Sequence, residues 1–307
     1  MRMYKFWIVC LVLINLYGCG EEETKNIPPV SDKTVDLPAI KNKQLNISVL
    51  IDLSNRIDDR LHPQQASRDI AIVGDLTQIF KNNIDAFGAF KADGKLRVYF
   101  HPEPSDPEIA SIARELTADC KAGNRPENAK HNKQVYQSVD SNFQTGLERI
   151  YQLANNKSDY PGSNIWRFMK DEAAHRCLED TANFRNILVI LTDGYLYYKN
   201  EMHQTKNRYS YIERNFPHFN KFRDRKVLES TFENEDYGFE PTGVDLNGLE
   251  VVVMGINPDE AYPQDFDIIK KYWEKWLKEM DIQHFVLVKT QQPVYSQKSI
   301  SDFLRSH

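Results

Sequence analysis

The stretch Ile47-Ser-Val-Leu-Ile-Asp-Leu-Ser-Asn-Arg56 decides the fold of this chain. It opens as a short apolar run, rich in β-branched residues, and ends abruptly in Asp52, Ser54, Asn55 and Arg56. Such a run predicts a strand buried on both faces, in a sheet covered by helices. Asn186-Ile-Leu-Val-Ile-Leu-Thr-Asp193, closed by Gly194, repeats the pattern and also ends in an aspartate. Leu249 to Ile256 and His284 to Val288 are further apolar runs, and Leu96 to Phe100 is a short strand after the Asp93-Gly94 turn.

Between these runs the apolar spacing turns helical. Ile70, Val73, Leu76 or Thr77, and Phe80 align over about 66–84, and Phe266, Ile269, Trp273, Trp276 or Leu277, and Met280 over about 265–280. Helices are also expected over about 108–120 and 165–179. A further one over about 143–155 has Phe143, Leu147, Ile150 and Ala154 inward and Ser141 as its N-cap. Residues 121–140 are polar, contain Gly123, Asn124 and Pro126, and read as loop. Strands alternating with helices predict an α/β fold: a doubly wound, mainly parallel sheet with helices on both faces. Tyr195 to Gly248 is too long for a simple connection and reads as an insertion on the rim that carries Asp52 and Asp193. Its tyrosines at 195, 197, 198, 209 and 211 suit either a contact surface or a small core of its own.

The N-terminus stands apart from that domain. Arg2 and Lys5 precede an apolar stretch, Phe6 to Leu16, of signal-peptide length and too short to span a bilayer comfortably. Leu16-Tyr-Gly-Cys19 resembles a bacterial lipobox, which assigns residues 1–18 to a signal peptide and Cys19 to lipidation. Glu21 to Glu23 opens a polar tether, residues 19–44, and resembles the acidic tag that sends some lipoproteins to the cell surface. The expected location is the bacterial cell envelope, at the outer membrane, with the lipid as the membrane contact.

The 307 residues include 41% hydrophobic side chains, enough for one sizeable core spanning 45–307. A net charge of −5 offers no footprint for nucleic acid. The eight histidines show no metal-ligand spacing, and no Gly-rich phosphate loop or Gly-x-Ser-x-Gly elbow is present. Beyond Cys10 and Cys19, Cys120 and Cys177 are left for the domain. An oxidising compartment permits a disulfide between them; a buried free thiol at Cys177 is the other reading.

In a parallel sheet the carboxyl ends of the strands share one edge, where α/β proteins bind ligands. Asp52, Ser54, Ser141 and Asp193 are therefore expected to converge there, and their oxygens suit a hard cation. Here the chain resembles the von Willebrand factor type A family. Asp52-Leu-Ser-Asn-Arg56 is similar to its Asp-x-Ser-x-Ser motif, Ser141 to Leu147 to its Thr-Asn-Ile-Gly-x-x-Leu segment, and Ile187 to Gly194 to its third motif. The resemblance implies a metal-ion-dependent adhesion site with Asp52, Ser54, Ser141 and Asp193 as ligands of Mg²⁺ (or Mn²⁺ or Ca²⁺). It also implies a partner's acidic group at the open position.

Arg56 departs from the pattern, replacing a hydroxyl ligand with a guanidinium that cannot lose its charge. Three arrangements are open. Arg56 swings outward while Asp58 or Asp59 supplies oxygen; the site holds metal weakly; or the arginine stands in for the metal. The functional expectation is a lipid-anchored binding protein, not an enzyme, that recognises a protein or other macromolecule through this rim. The alternatives are a metal-dependent phosphoesterase-like hydrolase, with Ser54 as nucleophile, and a scaffold with a lost metal site that serves only assembly.

Overall fold

Six strands make the central sheet of the computed structural model, which describes residues 43–157, 162–199, 201–290 and 293–305. They are β1 (Gln44–Ile51), β2 (Lys95–Tyr99), β3 (Thr117–Asp119), β4 (Phe184–Leu191), β5 (Leu249–Ile256) and β6 (Phe285–Lys289). Their spatial order is β6-β5-β4-β1-β2-β3, parallel throughout except for β3, which runs antiparallel on the edge. The expected signal peptide, the lipidation site Cys19 and the tether up to residue 42 lie outside the described residues.

The central strands are fully buried because their side chains feed two cores. Leu45, Ile47, Val49 and Ile51 of β1 point to one face, where α1 (Gln65–Phe87), α3 (Pro126–Lys157) and α9 (Pro293–Arg305) contribute Leu76, Phe80, Phe143, Leu147, Ile150 and Phe303. Leu50 of β1, with Leu188 and Ile190 of β4, points to the other. There it meets α4 (Ile165–Asp171), α5 (Ala173–Cys177) and α8 (Asp265–Glu279). Each large apolar side chain so buried contributes roughly 1.5–3 kcal/mol of transfer free energy.

The second core also absorbs the insertion. Its helices α6 (Pro217–Phe222) and α7 (Arg225–Thr231), and short strands at 204–205, 208–209 and 238–239, bury Tyr209, Phe216, Phe222, Phe232, Tyr237 and Phe239. Rings meet edge to face: Tyr209 on Phe216 at 4.8 Å, and Phe232 on Tyr272 of α8 at 5.0 Å. The aromatic residues thus form a core continuous with α8, whereas Tyr197 stays 38% exposed.

Several segments depart from the pattern that the sequence suggests. Of residues 121–140 only 121–125 are loop: α3 begins at Pro126, whose ring suits the first helical turn, and runs without a break to Lys157. Ser141 is therefore in the interior of that helix rather than at its N-cap. The helix expected over 108–120 ends early, as α2 (Pro107–Glu115), and the chain then joins the sheet as β3. The helix expected over 165–179 is divided at Glu172. Cys120 and Cys177 are free, each buried in a different core with the sheet between them, so of the two readings left open the buried free thiol holds and the disulfide does not. Burial pushes both thiols up to about 12.

Candidate functional site

β1 and β4 pair in register from Gln44–Phe184 to Ile51–Leu191, so the two strands end side by side. The chain builds outward from β1 to β2 and β3, then returns to β4 and builds outward the other way. The crevice at such a reversal is where parallel α/β sheets admit ligands. The backbone N–H of Asp52 donates to Leu191 O at 3.0 Å, and Asn257 N–H to Asp193 O at 2.9 Å, tying the ends of β1, β4 and β5 together.

Asp52 is almost fully buried. Its Oδ1 accepts from Ser54 N–H at 2.8 Å, and its Oδ2 accepts from Thr192 Oγ1 at 3.1 Å. Burial, aided by the charge of Asp193 and opposed by Arg56, raises its pKa to about 6. Burial also raises Asp193, against the pull of Arg214 and Arg56. Asp193 Oδ1 accepts from Tyr195 N–H at 3.2 Å, and its Oδ2 from Arg214 Nη2 at 3.1 Å. Arg214 comes from the insertion and lies over the Tyr195 ring, 5.0 Å from its centroid.

Arg56 points inward. In the single 3₁₀ turn Asn55–Ile57, its Nε donates to Asp52 O at 2.9 Å and its Nη2 to Leu191 O at 3.0 Å. Nη2 also pairs with Asp69 Oδ2 at 2.5 Å, both side chains being 2% exposed. Asp69, in the first turns of α1, is held in turn by Gln65 Nε2 at 2.9 Å and by the Tyr151 hydroxyl of α3. Burial works against the Arg56 charge, but Asp69, Tyr151 and Asp52 outweigh it and its pKa rises. Burial and Asp69 hold the Tyr151 phenol well above its usual value.

The expected residues therefore divide. Asp52, Arg56 and Asp193 come together, with Ser54 half-buried beside them. Ser141 does not join them. It is exposed, away from the Val139, Phe143 and Leu147 stripe that packs α3 inward, and its Oγ donates to Ser138 O at 3.1 Å. Asp58 is engaged by Arg60, at 2.9 Å and 2.6 Å. Asp59 is exposed and contributes its backbone N–H to Asn155 Oδ1 at 3.4 Å.

Asp69, Tyr151, Thr192 and Arg214 are the site residues that sequence reasoning missed. For the first two a signal existed. Asp69 shares the apolar stripe of α1 with Val73 and Leu76, and a carboxylate placed there needs a partner. Tyr151 likewise belongs to the α3 stripe. Arg214 had no periodic context to mark it.

These donors do not fit the divalent cation that the resemblance implies. Of its four expected ligands, Ser141 is elsewhere and Asp193 Oδ2 is paired with a guanidinium. A second, buried guanidinium is hydrogen-bonded to the Asp52 carbonyl. Unit and double positive charges about 5 Å apart repel by roughly 7 kcal/mol at an effective dielectric constant near 20. Among the described residues, no group of three or more His, Cys, Asp or Glu side chains is placed to hold a metal ion.

No family model matches the sequence, and no curated protein matches it. The family resemblance rests on the three motifs. Among solved structures the chain is similar to the pilus adhesin SpaC from Lactobacillus rhamnosus GG, at 11% identity and a TM-score of 0.39 over 88% of this chain. It spans 31% of that adhesin's length.

Proposed function

We propose that this chain is a binding module with a doubly wound, von Willebrand factor type A arrangement, held at the cell envelope by a lipid on Cys19. Its partner, a protein or other macromolecule, docks on the edge formed by the ends of β1 and β4 and the insertion. The rim grips and does not turn over a substrate. The carrying observation is where exposed apolar side chains fall. Of the six exposed large apolar side chains among the described residues, Leu61 (62% exposed), Tyr197, Met202 and Tyr262 lie on segments that leave β1, β4 or β5 at their carboxyl ends and Tyr295 follows β6, whereas Phe90 precedes β2 at the opposite end. Aromatic residues and methionine are enriched at protein interfaces. Arg214, 35% exposed above Asp193, offers such a partner's acidic group a counter-charge.

A photoreactive residue placed at Leu61 and, separately, at Ala182 tests this in cells. Ala182 is exposed and lies two residues before β4, at the opposite end of the sheet. A discrete adduct is expected from position 61 and not from 182. Adducts from 182 alone, or the same adducts from both, would refute the docking edge.

A further inference from the structure

We infer that Arg56 is the resident cation of this rim, so that the edge is organised without a divalent metal. This deepens the reading of the edge as the docking surface and rests on it for its functional meaning. The resembled motif places an oxygen ligand at the position of Arg56. Here the guanidinium donates to the carbonyl just beyond β1, Asp52 O, and to the last carbonyl of β4, Leu191 O, at 2.9 and 3.0 Å. It thus ties the two strand ends together from inside.

The pairing with Asp69 is built as a permanent structure. Asp52, Arg56, Asp69 and Tyr151 are each no more than 3% exposed, so the cation is sealed from solvent. A guanidinium does not titrate in proteins, and it does not exchange with the medium as a metal ion does. Three carboxyl groups, Asp52, Asp69 and Asp193, are set against two guanidinia, Arg56 and Arg214. Removing Arg56 alone would leave Arg214 as the one guanidinium among three carboxyls. In Arg56→Ser the rim carboxyls Asp52 and Asp193 share the edge with hydroxyls at positions 54 and 56, a hard-oxygen set relieved of the buried guanidinium that opposes a divalent ion. A partner's grip on this edge would accordingly be indifferent to chelators.

Two measurements on the full chain decide the matter, and neither involves a partner, so they stand or fall apart from the docking edge. The first is calorimetric titration of the unmutated protein with Mn²⁺, together with its melting temperature in EDTA and in millimolar Mn²⁺. No binding heat and an unchanged melting temperature are expected. Stoichiometric Mn²⁺ binding that disappears in Asp52→Ala would overturn the inference. The second compares Arg56→Ser with Arg56→Lys. Loss of a buried ion-pair partner should lower melting of Arg56→Ser by roughly 10 °C in EDTA, with recovery in Mn²⁺. A folded Arg56→Ser that neither binds Mn²⁺ nor is stabilised by it would overturn the claim that Arg56 fills the place of a cation. Should Arg56→Ser fail to fold, Arg56→Lys carries the test. It keeps a cation and must show no response to Mn²⁺, and stabilisation by the metal would overturn the inference.

Discussion

Asp52 is pulled in opposite directions by burial and by Arg56, and burial wins, leaving its carboxyl near 6 instead of 3.8. A carboxyl whose folded pKa is raised adds stability at low pH, fully present below the unfolded value and lost as pH climbs to the folded one. Asp52 therefore makes the protein less stable across the window from about pH 4 to about pH 6. A shift of that size corresponds to about 3 kcal/mol at most. Asp193 and Asp75 are raised by burial too and act in the same sense. Asp52→Asn should flatten part of the decline while retaining an acceptor for Ser54 N–H. Urea denaturation at closely spaced pH values reads this directly, and a pH profile unchanged in slope would contradict the assignment. At this scale the sequence displayed the two aspartates, since both end conspicuous apolar runs. It could not display the direction of Arg56, because that depends on Asp69 and Tyr151, which are brought in by two helices far apart in the chain.

The elements were legible where one physical signal dominated. β1, β4 and β5 are apolar runs bounded by polar residues, and α8 carries a wide apolar stripe. The first half of α3 was not legible, because buried Asn132 and small Ala129 stand on its inward face. Asn132 Nδ2 reaches Ala89 O at 2.8 Å, Ala92 O at 3.0 Å and Lys121 O at 3.1 Å, so a polar side chain does the work of a core residue. Missing that half of the helix is what turned Ser141 into an expected cap at the rim, where the motif resemblance then made it a ligand. Ser141→Ala should accordingly change stability by no more than about 0.5 kcal/mol, as an exposed helical position does. Gly194 is the opposite case. Its φ of +94° suits glycine, and an added Cβ would lie 3.0 Å from both Ile256 Cγ2 and Ile269 Cγ2. Gly194→Ala should cost about 2–4 kcal/mol, combining backbone strain with overpacking. Chemical denaturation of the two variants side by side checks the contrast. A costly Ser141→Ala or a harmless Gly194→Ala would mean that α3 or the end of β4 is misplaced.

Across the whole molecule, the sheet divides the interior into two cores that share β1, β4 and β5, and the insertion belongs to one of them. Residues 195–248 look from sequence like something that could be a separate unit, because nothing in them alternates with the strand–helix rhythm of the rest. Yet Phe239 packs on Trp273 and Trp276 of α8, at 5.9 and 5.1 Å, and Leu246, Phe232 and Tyr237 join the same cluster. Removing the insertion would strip that face of α8, so it has no independent fold to lose. Unfolding should then be a single transition. The molecule carries its own pair of probes. Once Trp7 is replaced by phenylalanine, Trp166, Trp273 and Trp276 report on the core that holds the insertion, and the buried thiol of Cys120 reports on the other. With Cys10, Cys19 and Cys177 replaced by alanine, tryptophan fluorescence and Cys120 labelling should give the same urea midpoint. If the insertion were a domain of its own, the tryptophan signal would move first, or in two steps, while Cys120 stayed protected. Coincident midpoints mean instead that the docking edge, which carries Arg214 from the insertion and Asp193 from β4, is held by the stability of the entire fold.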